Sequence, residues 1–368
     1  MSETISTPPA PRPPIQKETT VGNYFVSNYP PFSFWKPERV PELTAALNHP
    51  PAPGTDLGVY VHIPFCRKRC HFCYFKVYTD KDSAAIRHYL DTVLKELSLY
   101  ASQAFIGGRK PTFVYFGGGT PSYLSADQLR HLVGEMKRLL PWEAVDEVTF
   151  ECEPGTLTDH KLKAIRELGV TRLSLGVENF DDHILEINGR AHHSREIARA
   201  YAYAREIGFP QINIDLIAGM VEETEANWIE NVRRTIEMSP DSVTIYEMEI
   251  PYNTTIYQRM KAEGKLVAPV ADWETKRRWV AYAFGELEQG RTSEPEPFNE
   301  IDRALSNRMM GAWGAFARAG DPDTPSGDHW PRYDGTATGA HLELGSKICV
   351  GMDALAPRLD FLERYYGG

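Results

Sequence analysis

Six short apolar runs, each followed by a longer segment of helical spacing, fill the chain from residue 58 to residue 248. The runs are GVYVHI at 58–63, TFVYFG at 112–117, EVTFEC at 147–152, RLSLGV at 172–177, INIDLI at 212–217 and SVTIYEM at 242–248. Helical spacing occupies 82–103, 125–140, 158–168, 181–188, 194–207 and 224–238. Strands alternating with helices build a parallel sheet through right-handed crossovers, and the sheet curls into a barrel or an open arc. The expected class is therefore α/β, a partial (β/α)6 barrel, with any reactive centre at the C-terminal ends of its strands. Local signals agree. Ser125 with Gln128 forms a capping-box pair, and Gly169 and Gly208 stand where helix-ending glycines belong.

At 368 residues the chain can hold one barrel of roughly 200 to 250 residues with appendages. Residues 1–20, rich in Pro, Ser and Thr, read as a disordered tail. Residues 21–54 carry Tyr24, Phe25, Tyr29, Phe32, Phe34 and Trp35 between prolines and read as an irregular wrap. The core is expected over 55–290, followed by a separate appendage at 291–368. A formal charge of −10 argues against nucleic acid or an anionic membrane as main partner, although Arg67-Lys68-Arg69 is a local exception. No apolar run approaches the ~18 to 20 residues of a membrane span, and no signal peptide is apparent, so the expected compartment is the cytoplasm.

Five cysteines are too few for a disulfide scaffold, and three of them fall within eight positions, as Cys66-Arg-Lys-Arg-Cys70-His-Phe-Cys73. In a reducing compartment that crowding suggests a metal. A structural zinc site would need a fourth ligand, for which His62 and His71 are available. An iron–sulfur cube held by three thiolates keeps one iron open to an outside ligand. Cys152 and Cys349 are expected as buried apolar residues.

Later strand ends carry polar groups. Gly117-Gly118-Gly119-Thr120-Pro121-Ser122 follows the second run, Glu151-Cys-Glu153-Pro154 ends the third, and Gly176-Val-Glu178 ends the fourth. Asp215 interrupts the fifth, and Arg190 sits in Asn188-Gly-Arg190-Ala-His192-His193. Buried acids need partners. Either they bind a ligand, or Asp215 pairs structurally with Arg190.

In this order His62-Ile-Pro-Phe-Cys66, GGGTPS, ECEPGTL, RLSLGVENF, NGRAHH and NIDLIAGM resemble the oxygen-independent coproporphyrinogen III oxidase family of the radical S-adenosylmethionine (SAM) superfamily. That family includes haem chaperones and radical methyltransferases. The resemblance implies a [4Fe–4S] cluster on Cys66, Cys70 and Cys73 that cleaves SAM to a 5′-deoxyadenosyl radical. It implies SAM contacts from Tyr60, Gly118, Gly119, Thr120, Glu151, Glu178, Arg190 and Asp215, with Phe72 close by. It also implies a small-molecule substrate such as a tetrapyrrole, and a one-electron donor such as flavodoxin or ferredoxin. No catalytic residue beyond these is assigned.

Two departures matter. The family usually has Gln where this chain has Glu178, and a carboxylate accepts from ribose hydroxyls but cannot donate. The oxidases carry a further cysteine two residues after the third, where this chain has Phe75. The weight moves toward the chaperone or methyltransferase branches. A haem-binding carrier without turnover is the alternative.

The family pattern continues through a helix at 272–289 and then stops. Ala304-Leu-Ser306, Trp313 to Arg318, Gly320-Asp-Pro322 and Trp330 to Tyr333 resemble the tail of type-B carboxylesterases. The chain has no Gly-x-Ser-x-Gly nucleophile elbow. Residues 291–368 are thus expected as a mostly irregular or helical fragment without catalytic machinery. An inactive fusion product is a third reading.

Overall fold

The computed structural model describes residues 36–142, 145–264 and 269–289, together with the backbone of 340–343 and 349–352. The chain divides into two compact units, Met1–Gly290 and Arg291–Gly368. In the first, α1 (Val40–Leu47) precedes β1 (Gly58–Ile63), α2 (Ser83–Ala101), β2 (Phe113–Gly118), α3 (Ala126–Leu139) and β3 (Glu147–Cys152). Next come α4 (Asp159–Glu167), β4 (Arg172–Glu178), α5 (Asp182–Ile187), α6 (Ser194–Glu206) and β5 (Gln211–Ala218). The unit ends with α7 (Glu225–Met238), β6 (Ser242–Glu247), α8 (Thr255–Ala262) and α9 (Trp273–Gln289).

The six strands form one parallel sheet in chain order, β1 to β6, with β1 and β6 at its edges among the described residues. Parallel sheets are normally covered on both faces. Here the period-two alternation separates the faces. Val61, Ile63, Val114, Phe116, Val148, Phe150, Leu173, Leu175, Ile212 and Ile214 are buried on the outer face against Leu90, Leu129, Met136, Leu162, Ile197 and Trp228 of the helices. Each such side chain contributes roughly 1.5–3 kcal/mol by leaving water. The inner face carries polar residues instead: His62, Glu151, Ser174 and Asn213 occupy one layer of the strand register. The strands are thus covered on one side by helices and line a cavity on the other.

Caps set the helix starts. Ser125 accepts from the Gln128 N–H at 3.1 Å while Gln128 accepts from the Ser125 N–H at 2.8 Å, completing the expected box. Gly169 and Gly208 end α4 and α6 at φ of 93° and 75°, a conformation open to glycine.

The segment read as an irregular wrap contains α1, and α8, which hydrophobic spacing did not suggest, begins at a Thr254 cap. In the second unit β7 (Ala340–Glu343) and β8 (Cys349–Met352) pair as an antiparallel ladder, and the rest of the expected appendage lies outside the described residues. The tail at 1–20, the aromatic stretch 24–35, the carboxylesterase-like motifs at 304–333 and the side chain of Cys349 lie outside the described residues. Among the described residues, no helix is long and apolar enough to cross a membrane.

Candidate functional site

A cavity of about 1090 Å3 opens at the C-terminal ends of the strands. Its wall includes Cys66, Cys70 and Cys73, Phe72, Gly118 to Thr120, Glu151, Glu178, Arg190 and Asp215. Every residue expected at the site except Tyr60 lines it. Tyr60 lies on the inner face, its ring stacked on Tyr115 at 5.9 Å and its hydroxyl 3.0 Å from His62 Nδ1.

The cysteine loop is held by backbone contacts distant in sequence. Cys66 N–H donates to Tyr78 O at 3.0 Å and Tyr78 N–H returns to Pro64 O at 2.8 Å, so the loop leaves β1 and comes back alongside it. His71 N–H donates to Asn188 O at 2.9 Å, and its ring Nδ1 lies 2.8 Å from Ile187 O. The turn that carries Arg190 therefore also supports the loop apex. Arg69 donates to Cys73 O at 3.0 Å and Asn253 O at 3.1 Å.

The glycines after β2 are required by close approach. A Cβ on Gly119 would stand 2.9 Å from Ile63 O and 3.0 Å from Cys66 Sγ. Gly118, at φ 114°, presents its N–H to Glu151 Oε2 at 3.1 Å, and a Cβ there would strike the His62 ring at 2.6 Å. Thr120 follows and donates to Cys66 Sγ at 3.3 Å.

Three acids share the inner wall, and burial raises all of them. Glu151 is lifted by desolvation, against hydrogen bonds from the Tyr115 hydroxyl at 2.7 Å and the Gly118 N–H. Asp215 is pushed up to about 6 by burial although Ser174 and Asn213 each donate to it at 2.8 Å. Glu178 is pushed up to about 7 by burial, opposed by Arg190 and reinforced by Asp215 and Glu151. At neutral pH the Glu178 carboxyl is thus partly protonated and can donate as well as accept, which an ionised side chain at this position could not.

Of the two readings open for Asp215, the structural pairing with Arg190 does not form. Asp215 is satisfied by Ser174 and Asn213, which occupy neighbouring places in the strand register. Arg190 instead donates to Cys70 Sγ at 3.2 Å and Gly176 O at 2.7 Å, with Glu178 at 3.5 Å. The reason is a register irregularity in β4 between Gly176 and Glu178, which puts Glu178 at φ 65° and carries its carboxyl to the guanidinium. Burial opposes the charge on Arg190, but Cys70, Glu178 and Glu153 outweigh it and hold the group firmly protonated.

Sequence reasoning passed over a second network. Glu153 accepts from Arg67 at 3.4 Å, from the Gly155 N–H at 3.1 Å and lies 3.1 Å from His192 Nδ1. Burial lifts its carboxyl, yet the His192 hydrogen bond and the charges of Arg190, His192 and Arg67 bring it below the usual range. Burial lowers the His192 ring, against the pull of its contact with Glu153. Arg67 also donates to Ala191 O, tying the cysteine loop to the same turn. The signal available was His192 beside Arg190. Tyr246, whose hydroxyl burial pushes up to about 12, and Phe284 of α9 also line the cavity without having been anticipated.

The donor set fits a cluster better than a single ion. Three sulfurs face one cavity, with Cys66 pushed up to about 11 by burial, a shift that a bound metal's positive charge reverses. A structural zinc ion would want a fourth protein ligand beside the three sulfurs, whereas an iron–sulfur cube can be held by these three alone. Arg190 Nε, buried in the wall, has no hydrogen-bond partner among the described residues.

Comparison with known proteins agrees with this geometry. The family model described as "Radical SAM superfamily" matches residues 60–235, and members of that superfamily bind a [4Fe–4S] cluster and SAM. The chain is 29% identical over 308 residues to the haem chaperone HemW of Bacillus subtilis, covering 83% of this chain and 76% of that one. It is 29% identical over 240 residues to the oxygen-independent coproporphyrinogen III oxidase of Escherichia coli, covering 65% of this chain and 51% of that one. The solved coproporphyrinogen III oxidase of Escherichia coli, described as a radical SAM enzyme, shares the fold. Its TM-score is 0.62 at 24% identity, over 77% of this chain and 65% of that one. A "Carboxylesterase family" model also matches, over residues 194–362; its described part falls largely on α6, β5, α7, β6, α8 and α9. From the sheet, the cavity and these relatives, the chain carries a radical SAM domain whose homologues include haem chaperones and coproporphyrinogen III oxidases.

Proposed function

We propose that Cys66, Cys70 and Cys73 hold a [4Fe–4S] cluster and that SAM lies along the wall built by Phe72, Gly118, Gly119, Thr120, Glu151, Glu178, Arg190 and Asp215, with Tyr60 behind it. The observation that carries the reading is the meeting of three thiols, a glycine turn and an acid-and-arginine wall around one cavity. When bound, the cluster supplies the electron that cleaves SAM to methionine and a 5′-deoxyadenosyl radical. The protein's part is placement. Gly119 lets the second strand approach Cys66, Arg190 offers an unpartnered Nε to an anionic ligand group, and Glu151, Glu178 and Asp215 face the hydroxyls and amine of a nucleoside amino acid. Tyr246, Met248 and Phe284 leave an apolar flank suited to a conjugated substrate, for which a tetrapyrrole is our reading.

A haem carrier that keeps the cluster without turnover is the second reading. It is favoured by Phe75, half-exposed in the cavity wall where the oxidases have a cysteine. Anaerobic reconstitution followed by reduction tests both. About four irons per chain with release of 5′-deoxyadenosine supports the enzyme; iron and stoichiometric haem binding without release supports the carrier. A chain that takes up no iron overturns both.

A further inference from the structure

Asn213, in the middle of β5, is 1% exposed and stands outside the cavity wall, whereas Ser174 and Asp215 are part of that wall. In the strand register Ser174 of β4 and Ser242 of β6 lie level with Asn213. Arg172 comes one inner-face position before Ser174, and Asp215 comes one after Asn213. The amide oxygen, Oδ1, accepts from Ser242 at 2.8 Å, from Thr244 at 3.2 Å and from Arg172 at 3.3 Å. The amide nitrogen, Nδ2, donates to Asp215 Oδ1 at 2.8 Å and to Ser174 Oγ at 3.1 Å.

These contacts have a direction. A guanidinium only donates and an ionised carboxylate only accepts, so the amide oxygen belongs on the Arg172 side and the NH2 group on the Asp215 side. Ser174 Oγ, already accepting from Nδ2, sends its own hydrogen to Asp215 Oδ2 at 2.8 Å. Each carboxylate oxygen thus receives a donor from the preceding layer of the register and keeps its remaining lone pairs for the cavity. Donors aimed at a carboxylate favour its ionised form. Burial pushes Asp215 up to about 6, and hydrogen bonds from Ser174 and Asn213 oppose that push, with Thr244 and Arg172 adding to them. The other titratable groups that bear on Asp215 are Glu151 of β3, Glu178 of β4, Tyr115 of β2, Tyr246 of β6 and the buried Cys152 thiol. All of these are acids, and none favours a further negative charge beside it.

We propose that Asn213 is a positioning residue: its amide, oriented by Arg172 and Ser242, keeps Asp215 ionised and turned toward the cavity as an acceptor. The inference rests on the SAM reading above. The ligand group suited to such an acceptor brings its own hydrogens, an ammonium or paired hydroxyls, whereas an anion is repelled. Asn213 itself reaches no ligand and acts only through Asp215 and Ser174. The same amide also fastens β5 to β4 and β6. A role limited to fastening makes a different prediction, because its loss would weaken binding by one factor at every pH.

The test uses the full chain carrying Glu178→Gln, so that Glu178 adds no titration, loaded anaerobically with iron and sulfide and analysed for iron at each pH. Binding of labelled SAM to the unreduced protein is measured by equilibrium dialysis between about pH 5 and about pH 8. With Asn213 in place, binding should weaken as pH falls through about 6, where Asp215 takes up a proton. Asn213→Ala should raise that midpoint by about one pH unit and leave binding roughly threefold weaker at about pH 6.5. Asn213→Asp, which keeps the shape and removes the NH2 group, should raise the midpoint at least as far. Ser242→Ala, which removes one of the donors that orient the amide, should raise it by less. Where the Asn213 variants take up no iron, Ser242→Ala decides: a raised midpoint supports the role and an unmoved one overturns it. Affinity lost by the same factor at every pH in the Asn213 variants, with the midpoint unmoved, also overturns it and leaves a fastening role alone. A parent chain that holds iron without binding SAM overturns the SAM reading and this inference with it, and a parent without iron overturns the cluster reading. The iron and binding measurements on the parent tell those failures from a failure of Asn213 alone.

Discussion

Arg190 donates to the sulfur of Cys70 at 3.2 Å across 120 residues of sequence. The same guanidinium reaches Glu178 at 3.5 Å, so one side chain bridges the cysteine loop and the acidic wall. Removing it strands a buried carboxyl. In the metal-free chain at pH 8, Arg190→Ala should lose on the order of 3 kcal/mol, read from urea unfolding. Arg190→Lys should recover less than half of that, because an ammonium cannot reproduce the fork. Equal stability of Arg190→Ala and parent would show that the bridge carries no load.

Glu178 makes stability depend on pH in a stated direction. Its folded-state pKa, about 7, lies above the ordinary carboxyl value of 4.5, so the folded chain binds the extra proton between those limits. This group's contribution is therefore greatest below pH 4.5 and falls as pH rises toward 7. Glu178→Gln should raise the Tm of the metal-free chain at pH 8 and flatten the decline between pH 5 and 7. The full effect is on the order of 3 kcal/mol. An unchanged slope across that range would refute the assignment.

Two glycines separate close approach from helix propensity. Gly119→Ala must push against Ile63 O and Cys66 Sγ, and should cut the iron bound after reconstitution by more than half. Gly134, inside α3, has open space around its Cβ position, and Gly134→Ala should stabilise by about 0.5–1 kcal/mol. Full iron loading of Gly119→Ala would show that the contact can relax.

Cys66→Ala, Cys70→Ala and Cys73→Ala should each abolish the broad visible absorption of the reconstituted protein, because a three-ligand set has no spare. Cys152→Ala should keep it. Cys152 is buried at the cavity wall, and its thiol donates to Phe150 O at 3.6 Å, a contact within its own strand. Retained absorption in any of the first three variants would mean that the ligands are misassigned.

The strands were readable because each is a short apolar run set off by Gly, Pro or polar positions, and the sheet places them within one or two residues of the expected bounds. Cys66 and Gly119 could be put at neighbouring strand ends from order alone. What could not be read was lateral pairing. Nothing in the sequence says that Ser174 and Asn213 share a layer from which both donate to Asp215 in the next, or that β4 slips at Gly176 to deliver Glu178 to Arg190. α8 escaped notice because Tyr257, Gln258 and Arg259 hide its short apolar spacing, leaving only the Thr254 cap as a sign.

The cysteine loop is made early in synthesis but finished late. Its apex leans on Asn188 and Arg190, and Arg67 reaches Ala191, all more than a hundred positions downstream. While the ribosome has delivered only the first three strands, the thiols have neither the turn that seats them nor the guanidinium beside Cys70. Metal inserted then would meet a flexible peptide. If the three thiols hold the proposed cluster, iron would have to arrive after folding, because the turn that seats them is complete only once residue 191 has emerged.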